Sequence, residues 1–359
     1  MVGTRSKLLW SLAGANIVVL LGFVLLGFLL ADGLTFSFRN GPPTPPALII
    51  PTPGRADSRF RELEIPKPGG TPYAIIAGRD GSIWFTEAEC TSAIGRRASD
   101  GTWLNLPLAP DCKAQPLDIT QGPDGNVWFT ESSSGYGRIT PGEELTRFPM
   151  SDRGPLGIAA GPDGNLWIVA LSSQERSFIE KVSTQGAILA EYQLPAQALQ
   201  PRGVVTGPDG AIWFTEYAGI GRITTSGRVT QFPLPKGNGS GTPNQIAAGP
   251  DGNLWFVEYM PEGTGRIGRL TPSGQLTEFA TPDNRGLQWI TAGPDGAMWF
   301  TGMISNTIGR ISMSGSVTTY AVPTPRAQPV GITTGPDGNI WFTESAMDGI
   351  GRIGIFSVK

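Results

Sequence analysis

The sequence predicts an all-β protein, a seven-bladed β-propeller whose ring is closed by its own N-terminal strand. Three observations predict it. A Gly-x-Asp-Gly unit followed by a Trp-centred apolar run occurs seven times, with Asp80, Asp124, Asp163, Asp209, Asp251, Asp295 and Asp337 at a mean spacing of about 43 residues. The composition, 50 Gly and 32 Pro among 359 residues with 16% charged, is rich in turn formers and poor in material for long helices. The last copy, ending "GRIGIFSVK", lacks a fourth strand, and "FRELEIP" (Phe60 to Pro66) at the other end matches the missing pattern.

In chain order, residues 1–7 carry Arg5 and Lys7 and are expected to be a cytoplasmic N-terminus. Residues 8–31, "LLWSLAGANIVVLLGFVLLGFLLA", contain no charge and are long enough for a membrane-spanning helix of about 20 residues. A long cleaved signal peptide is the alternative, against which stands the poor cleavage site in "FLLAD". Either way the rest is exported, so the expected location is the cell membrane, single-pass, with the C-terminal domain extracytoplasmic. Residues 32–59 include "GPPTPPALIIPTPG", where proline fixes φ and removes backbone donors, so a stiff extended linker is expected. Residues 60–359 form the propeller.

Each repeat reads as four antiparallel strands. A short run such as "GIAA" leads into an Asp-Gly hairpin, in which both central residues are expected at φ > 0. Then come "LWFTE", a variable loop, "IGRIT", a second turn, and "VTQFPLP" or "LTEFATP". Closing the ring removes free sheet edges that would otherwise pair with other chains.

Residues present in every copy serve the blade before they serve a reaction. Trp84, Trp128, Trp167, Trp213, Trp255, Trp299 and Trp341 are expected to pack between blades, with sugar-stacking platforms as the alternative. Glu87, Glu131, Glu216, Glu258 and Glu344 end the second strand, and Arg96, Arg138, Arg222, Arg269, Arg310 and Arg352, with Lys181, sit on the third. A Glu–Arg pair within each blade is the economical reading; a cation-binding ring of glutamates is the sharper one. The Asp-Gly-Asn loops lack calcium-loop spacing, and no metal site is expected. Cys90 and Cys112, the only two cysteines, fall in loops on one face, and a disulfide is expected over two free thiols. The chain has no histidine, which removes the side chain best suited to proton transfer near neutral pH. A net charge of −3 with no basic block argues against nucleic acid.

Function in a repeat protein is sought where copies differ. Each innermost strand begins with a Pro-x-Gly-Ile pattern whose x position holds Tyr73, Leu117, Leu156, Arg202, Asn244, Gln288 and Val330. The next position is small except at Asp118, Gln245 and Trp289. These groups are expected at the mouth of the central channel, where propeller ligands bind; solvated rim residues without a ligand are the alternative. Tyr73, Asp118, Arg202, Asn244, Gln245, Gln288, Trp289 and Glu344 are the candidate ligand contacts. Arg202 suits an anionic group, and Tyr73 and Trp289 suit a ring or sugar.

The "GPDGNLWFTE…GRIT" unit, from Phe60 to Lys359, resembles that of the streptogramin B lyase (virginiamycin B lyase) family, including Tyr73 in "TPYAI". The resemblance implies a seven-bladed propeller and a magnesium-assisted elimination that opens a cyclic depsipeptide ester. It places the family's histidines at the x positions of blades six and seven, here Gln288 and Val330. It places acids before the blade-seven motif and after that blade's second strand, here Gln328 and Ser345. No catalytic residue carries across. The chain is therefore expected to be a ligand- or partner-binding module, without cofactor and monomeric, taking a small molecule, glycan or protein at the rim. A carbon-oxygen lyase using Glu344 or Asp118 as carboxylate base, with magnesium, is the alternative.

Overall fold

A computed structural model describes residues 57–66, 70–88, 92–108, 115–132, 135–195, 200–235, 241–260, 264–281, 284–345 and 348–359. The expected anchor at residues 8–31, nearly all of the linker, and both Cys90 and Cys112 lie outside them. Among the described residues no helix is long and apolar enough to cross a membrane.

Asp57–Lys359 is one compact unit of seven four-stranded antiparallel sheets. Six are built from consecutive strands; in blade one these are Pro72–Ala77, Ile83–Glu87, Ala93–Arg97 and Trp103–Pro107. The seventh joins Pro329–Thr334, Ile340–Glu344 and Arg352–Phe356 to Phe60–Glu64, which pairs in register from Phe60↔Phe356 to Glu64↔Arg352. The closing strand is the expected one.

Three repeated features hold the blades. In the hairpin after each inner strand, the Gly81 N–H donates to the Gly78 carbonyl (3.1 Å), and Gly81 alone is left-handed, at φ 78°. Asp80 is not, so the turn is a type I turn with a glycine bulge rather than the double-positive turn expected from Asp-Gly. The aspartate is free to accept the tryptophan indole N–H, as in Trp213 to Asp209 (2.9 Å), Trp299 to Asp295 (3.0 Å) and Trp341 to Asp337 (2.9 Å). Five of the indoles, those of Trp128, Trp167, Trp213, Trp255 and Trp299, stack on a fourth-strand aromatic, Trp167 on Tyr192 and Trp255 on Phe279 with ring centroids 5.9 and 5.5 Å apart. They also pack into the clusters between neighbouring blades, as Trp299 does with Ile332, Ile340 and Phe342. Packing, not ligand stacking, occupies them.

The expected Glu–Arg pair does not form as drawn. Register places the third-strand cation opposite the tryptophan, Arg222 against Trp213 and Arg310 against Trp299, at the end of the blade away from the glutamate. The cation reaches the hairpin aspartate instead: Arg222–Asp209 2.7 Å, Arg310–Asp295 2.6 Å, Lys181–Asp163 2.8 Å. Arg352 is not an equivalent of these residues, since Ile355 pairs with Trp341 and Arg352 pairs with Glu344. Burial pushes Asp209 up, but hydrogen bonds from Trp213 and Arg222 outweigh it and hold the carboxyl below its ordinary range.

The threonine of "WFTE" stitches blade to blade at the other end. Thr343 Oγ1 accepts the Gly331 N–H of its own inner strand (2.8 Å) and donates to the Tyr73 carbonyl of the next blade (2.7 Å). Thr215 does the same between Gly203 and the Asn244 carbonyl, and Thr301 between Trp289 and the Val330 carbonyl. The neighbouring carbonyl comes so close that a Cβ at Gly157 or Gly331 would collide with it, which accounts for the small residue at this position.

Candidate functional site

In six blades the register of the innermost strand shifts between the proline position and the isoleucine, at Pro72/Ile75, Pro116/Ile119, Pro155/Ile158, Pro243/Ile246, Leu287/Ile290 and Pro329/Ile332. In the remaining blade the strand begins only at Val204, after Arg202. The x residue and its successor therefore fall inside a β-bulge, a feature that leaves side chains unpaired and re-aims them. The same registers pair Pro72 with Glu87 and Pro329 with Glu344, so the mouth and the second-strand acids share one end of the blades, as expected.

Residues from several blades meet there. A cavity of about 290 Å³ is lined by Asp118, Gln245 and Trp289, the three copies with a large residue after the x position. The rest of its wall comes from the inner strands and includes Ile158, Val204 and Ile246 beside Thr120 and Thr206. Position in the repeat identified the entrance residues but not this wall; the inner-strand alternation was the only sequence signal for it. The Tyr73 and Trp289 rings meet edge to face with centroids 5.2 Å apart, joining blades one and six. Asn244 Nδ2 donates to Gln288 Oε1 (3.1 Å), both side chains being buried.

Charge at the mouth is sparse. Asp118 Oδ1 accepts the Ile119 N–H (2.9 Å) and Oδ2 the Ile158 N–H of the next blade (3.0 Å). Burial pushes its carboxyl up to about 7, with these two hydrogen bonds opposing. Burial likewise pushes Tyr73 up to about 12, while Arg202 pulls it down and Asp118 pushes it up. Arg202, half-buried, is lowered from its ordinary value by burial, with Tyr73 opposing. A magnesium ion does not fit this donor set. Asp118 is the one carboxylate lining the cavity and its oxygens are committed to backbone N–H groups; among the described residues no group of three or more Cys, Asp or Glu is placed to hold a metal.

The second-strand acids lie inside the blades. Each reaches past the third-strand glycine toward the fourth strand: Glu131 to Arg147 (Nε to Oε1 2.8 Å), Glu216 to Gln231 (2.9 Å), Glu87 to Asn105 (2.7 Å). In two blades the fourth-strand residue is also an acid, Glu278 near Glu258 and Glu62 near Glu344. Glu344 is fully buried, and desolvation first, then Glu62, pushes its carboxyl up to about 8 against the pull of Arg352. Val330 is buried as well. The Ser345 hydroxyl donates to the Pro72 carbonyl (2.5 Å), binding blade seven to blade one.

Comparison with known proteins follows the fold. The sequence profile of the Virginiamycin B lyase family matches residues 54–219 and 154–357. A solved streptogramin B lyase structure is 34% identical, with a TM-score of 0.74 over 84% of this chain and 97% of that one. The virginiamycin B lyase of Staphylococcus aureus, in a catalytically inactive histidine-to-alanine form with quinupristin, is 33% identical, with a TM-score of 0.74 over 84% of this chain and 99% of that one. The extracellular domain of a hybrid two-component system of B. thetaiotaomicron shares the fold alone, at 14% identity and a TM-score of 0.64 over 82% of this chain and 42% of that one. No curated protein matches the chain.

Proposed function

The chain belongs to the Virginiamycin B lyase family, and on that premise we propose that it is a membrane-anchored, extracytoplasmic propeller that binds a small ligand at the channel mouth. One observation carries the reading. The three positions where single copies depart from the repeat by carrying a large residue, Asp118, Gln245 and Trp289, line the same cavity. Tyr73 adjoins it through the Trp289 ring contact, while Arg202 is not among the residues that line it. Glu344 acts inside blade seven and not on the ligand. The anchor is residues 8–31, by their length and lack of charge.

The same premise argues against the family's reaction in this chain. The relative's histidine-to-alanine form is catalytically inactive, and this sequence contains no histidine. One observation favours a second reading, a carbon-oxygen lyase with a carboxylate base: Asp118 lines the cavity with its carboxyl pushed up to about 7, the range of a working general base. Magnesium has no place in the first reading, and the donor set gives it none in the second.

Incubation with a streptogramin B antibiotic, with and without magnesium, followed by mass spectrometry, separates the two. The expected result is no ring-opened product. Turnover abolished by Asp118→Asn overturns the binding reading in favour of the lyase. A ligand screen by thermal shift then tests the site, with binding lost in Trp289→Ala as the expected outcome.

A further inference from the structure

We propose that the channel mouth takes a small primary amine in its ammonium form, held by the Asp118 carboxylate and the Gln245 amide with its carbon skeleton against Trp289. The inference rests on the ligand-site reading above and names the chemical class of the ligand.

Asp118 is the one charged side chain in the cavity lining. Its two oxygens each accept a single backbone N–H, from Ile119 of its own strand and Ile158 of the next blade. Those bonds hold the carboxylate in one orientation, and about half of its roughly four acceptor sites remain. That is too little for a metal ion, which wants several oxygens, and enough for an ammonium. No cation of the protein stands beside it: burial pushes the carboxyl up and only the two N–H groups oppose. A carboxylate taken partly out of water without a counter-charge is costly, and an incoming cation relieves the cost.

Gln245 is the second, independent observation. Its side chain is only 9% exposed and lines the same cavity, yet its amide makes no hydrogen bond among the described residues. The neighbouring blade leaves room for it, since a Cβ at Gly203 would lie 2.5 Å from Gln245 Oε1. A dehydrated amide without a partner gains from a ligand that brings donors. Trp289, half-buried, is held edge to face by Tyr73. An indole attracts a cation through its face and a hydrocarbon chain through its area. The remaining wall mixes Ile158 and Ile246 with Thr120, and about 290 Å³ suits an amphipathic molecule of one ring and a short arm. An anion would meet no cation in this lining, which does not include Arg202.

Isothermal titration of the full-length chain with phenethylamine, 2-phenylethanol and 3-phenylpropionate tests the inference, because the three share a ring and a short arm but differ in charge. Above neutral pH the amine is expected to bind at least about tenfold more tightly than the alcohol, the scale of one charge-assisted contact. The carboxylate is expected to bind no better than the alcohol. Asp118→Asn is expected to bring amine and alcohol together, Gln245→Leu to weaken the amine more than the alcohol, and Trp289→Ala to weaken both. A check on the wild type needs no substitution. The Asp118 carboxyl, at about 7, ionises between pH 6 and 8, so amine affinity should rise across that window while alcohol affinity stays level. On the strands packed against it, Tyr73, pushed up to about 12, stays protonated, while Glu131 is turned to Arg147 and Arg153 to Glu180. Equal affinities for amine and alcohol, or a preference for the carboxylate, would overturn the cation assignment yet leave the site standing if Trp289→Ala weakens the probe that binds. A preference for the amine that survives Asp118→Asn and ignores pH would overturn the role of Asp118. If no probe binds, the amine assignment fails. The ligand-site reading fails separately, if the broader screen finds no ligand whose binding depends on Trp289.

Discussion

The two ends of the blades obey different rules. At the hairpin end, one arrangement recurs around the ring: an aspartate accepts an indole N–H, and in most blades a third-strand cation lies against the same carboxylate. At the mouth, the corresponding bulge positions hold an aromatic, two aliphatics, a cation, two amides and a valine. The hairpin residues answer a demand every blade makes, which is to fill the wedge between neighbours and satisfy its buried polar atoms. At the bulge, the blade needs only a backbone carbonyl for the threonine and room for its approach. Side chains there are released from the scaffold, and the cavity forms where large ones were placed.

The comparison can be broken most forcefully at the hairpin end. Trp213→Ala, at a fully buried site, should cost about 3–5 kcal/mol in urea unfolding. Trp289→Ala at the mouth should cost well under half as much, and equal losses would erase the distinction between the two ends. The acid pair of the closing blade comes next. The Glu344 carboxyl is pushed up to about 8, so the folded state holds a proton that the unfolded chain has released above about pH 4.5. The Glu344 contribution to stability should therefore be full below about pH 4.5 and be lost as pH rises toward 8, with Glu62, Arg352 and Asp348 as the charged neighbours. Glu344→Gln should flatten that slope in thermal unfolding from pH 5 to 9; an unchanged slope would mean that Glu344 does not titrate in that window. Smallest is Arg310→Ala. Its partner Asp295 keeps the Trp299 N–H, and the pair is partly exposed, so the loss should stay within about 1 kcal/mol.

Much of this was legible in the chain. Seven hairpins, their tryptophans and the closing strand at Phe60–Glu64 followed from a repeat and its one incomplete copy. The pairing of charges did not. Spacing along a strand does not reveal which residue lies opposite, and register moved the third-strand arginines to the hairpin end, beyond reach of the glutamates. "GRIGIF" misled for the same reason, since its arginine occupies a position equivalent to Arg266 and not to Arg269. At the mouth, the departing residues were visible as exceptions to a pattern, but not their contacts.

Sequence alone determined the number of blades, the order of strands, the identity of the packing residues and the absence of any imidazole. All of these depend on local patterns or composition, which the repeat displays seven times over. Tertiary structure decided which side chains face each other across the ring. Tyr73 meets Trp289 because closure brings together residues far apart in the chain. Burial decided the protonation of Asp118 and Glu344, since desolvation depends on what surrounds a carboxyl in space and not on its neighbours in sequence.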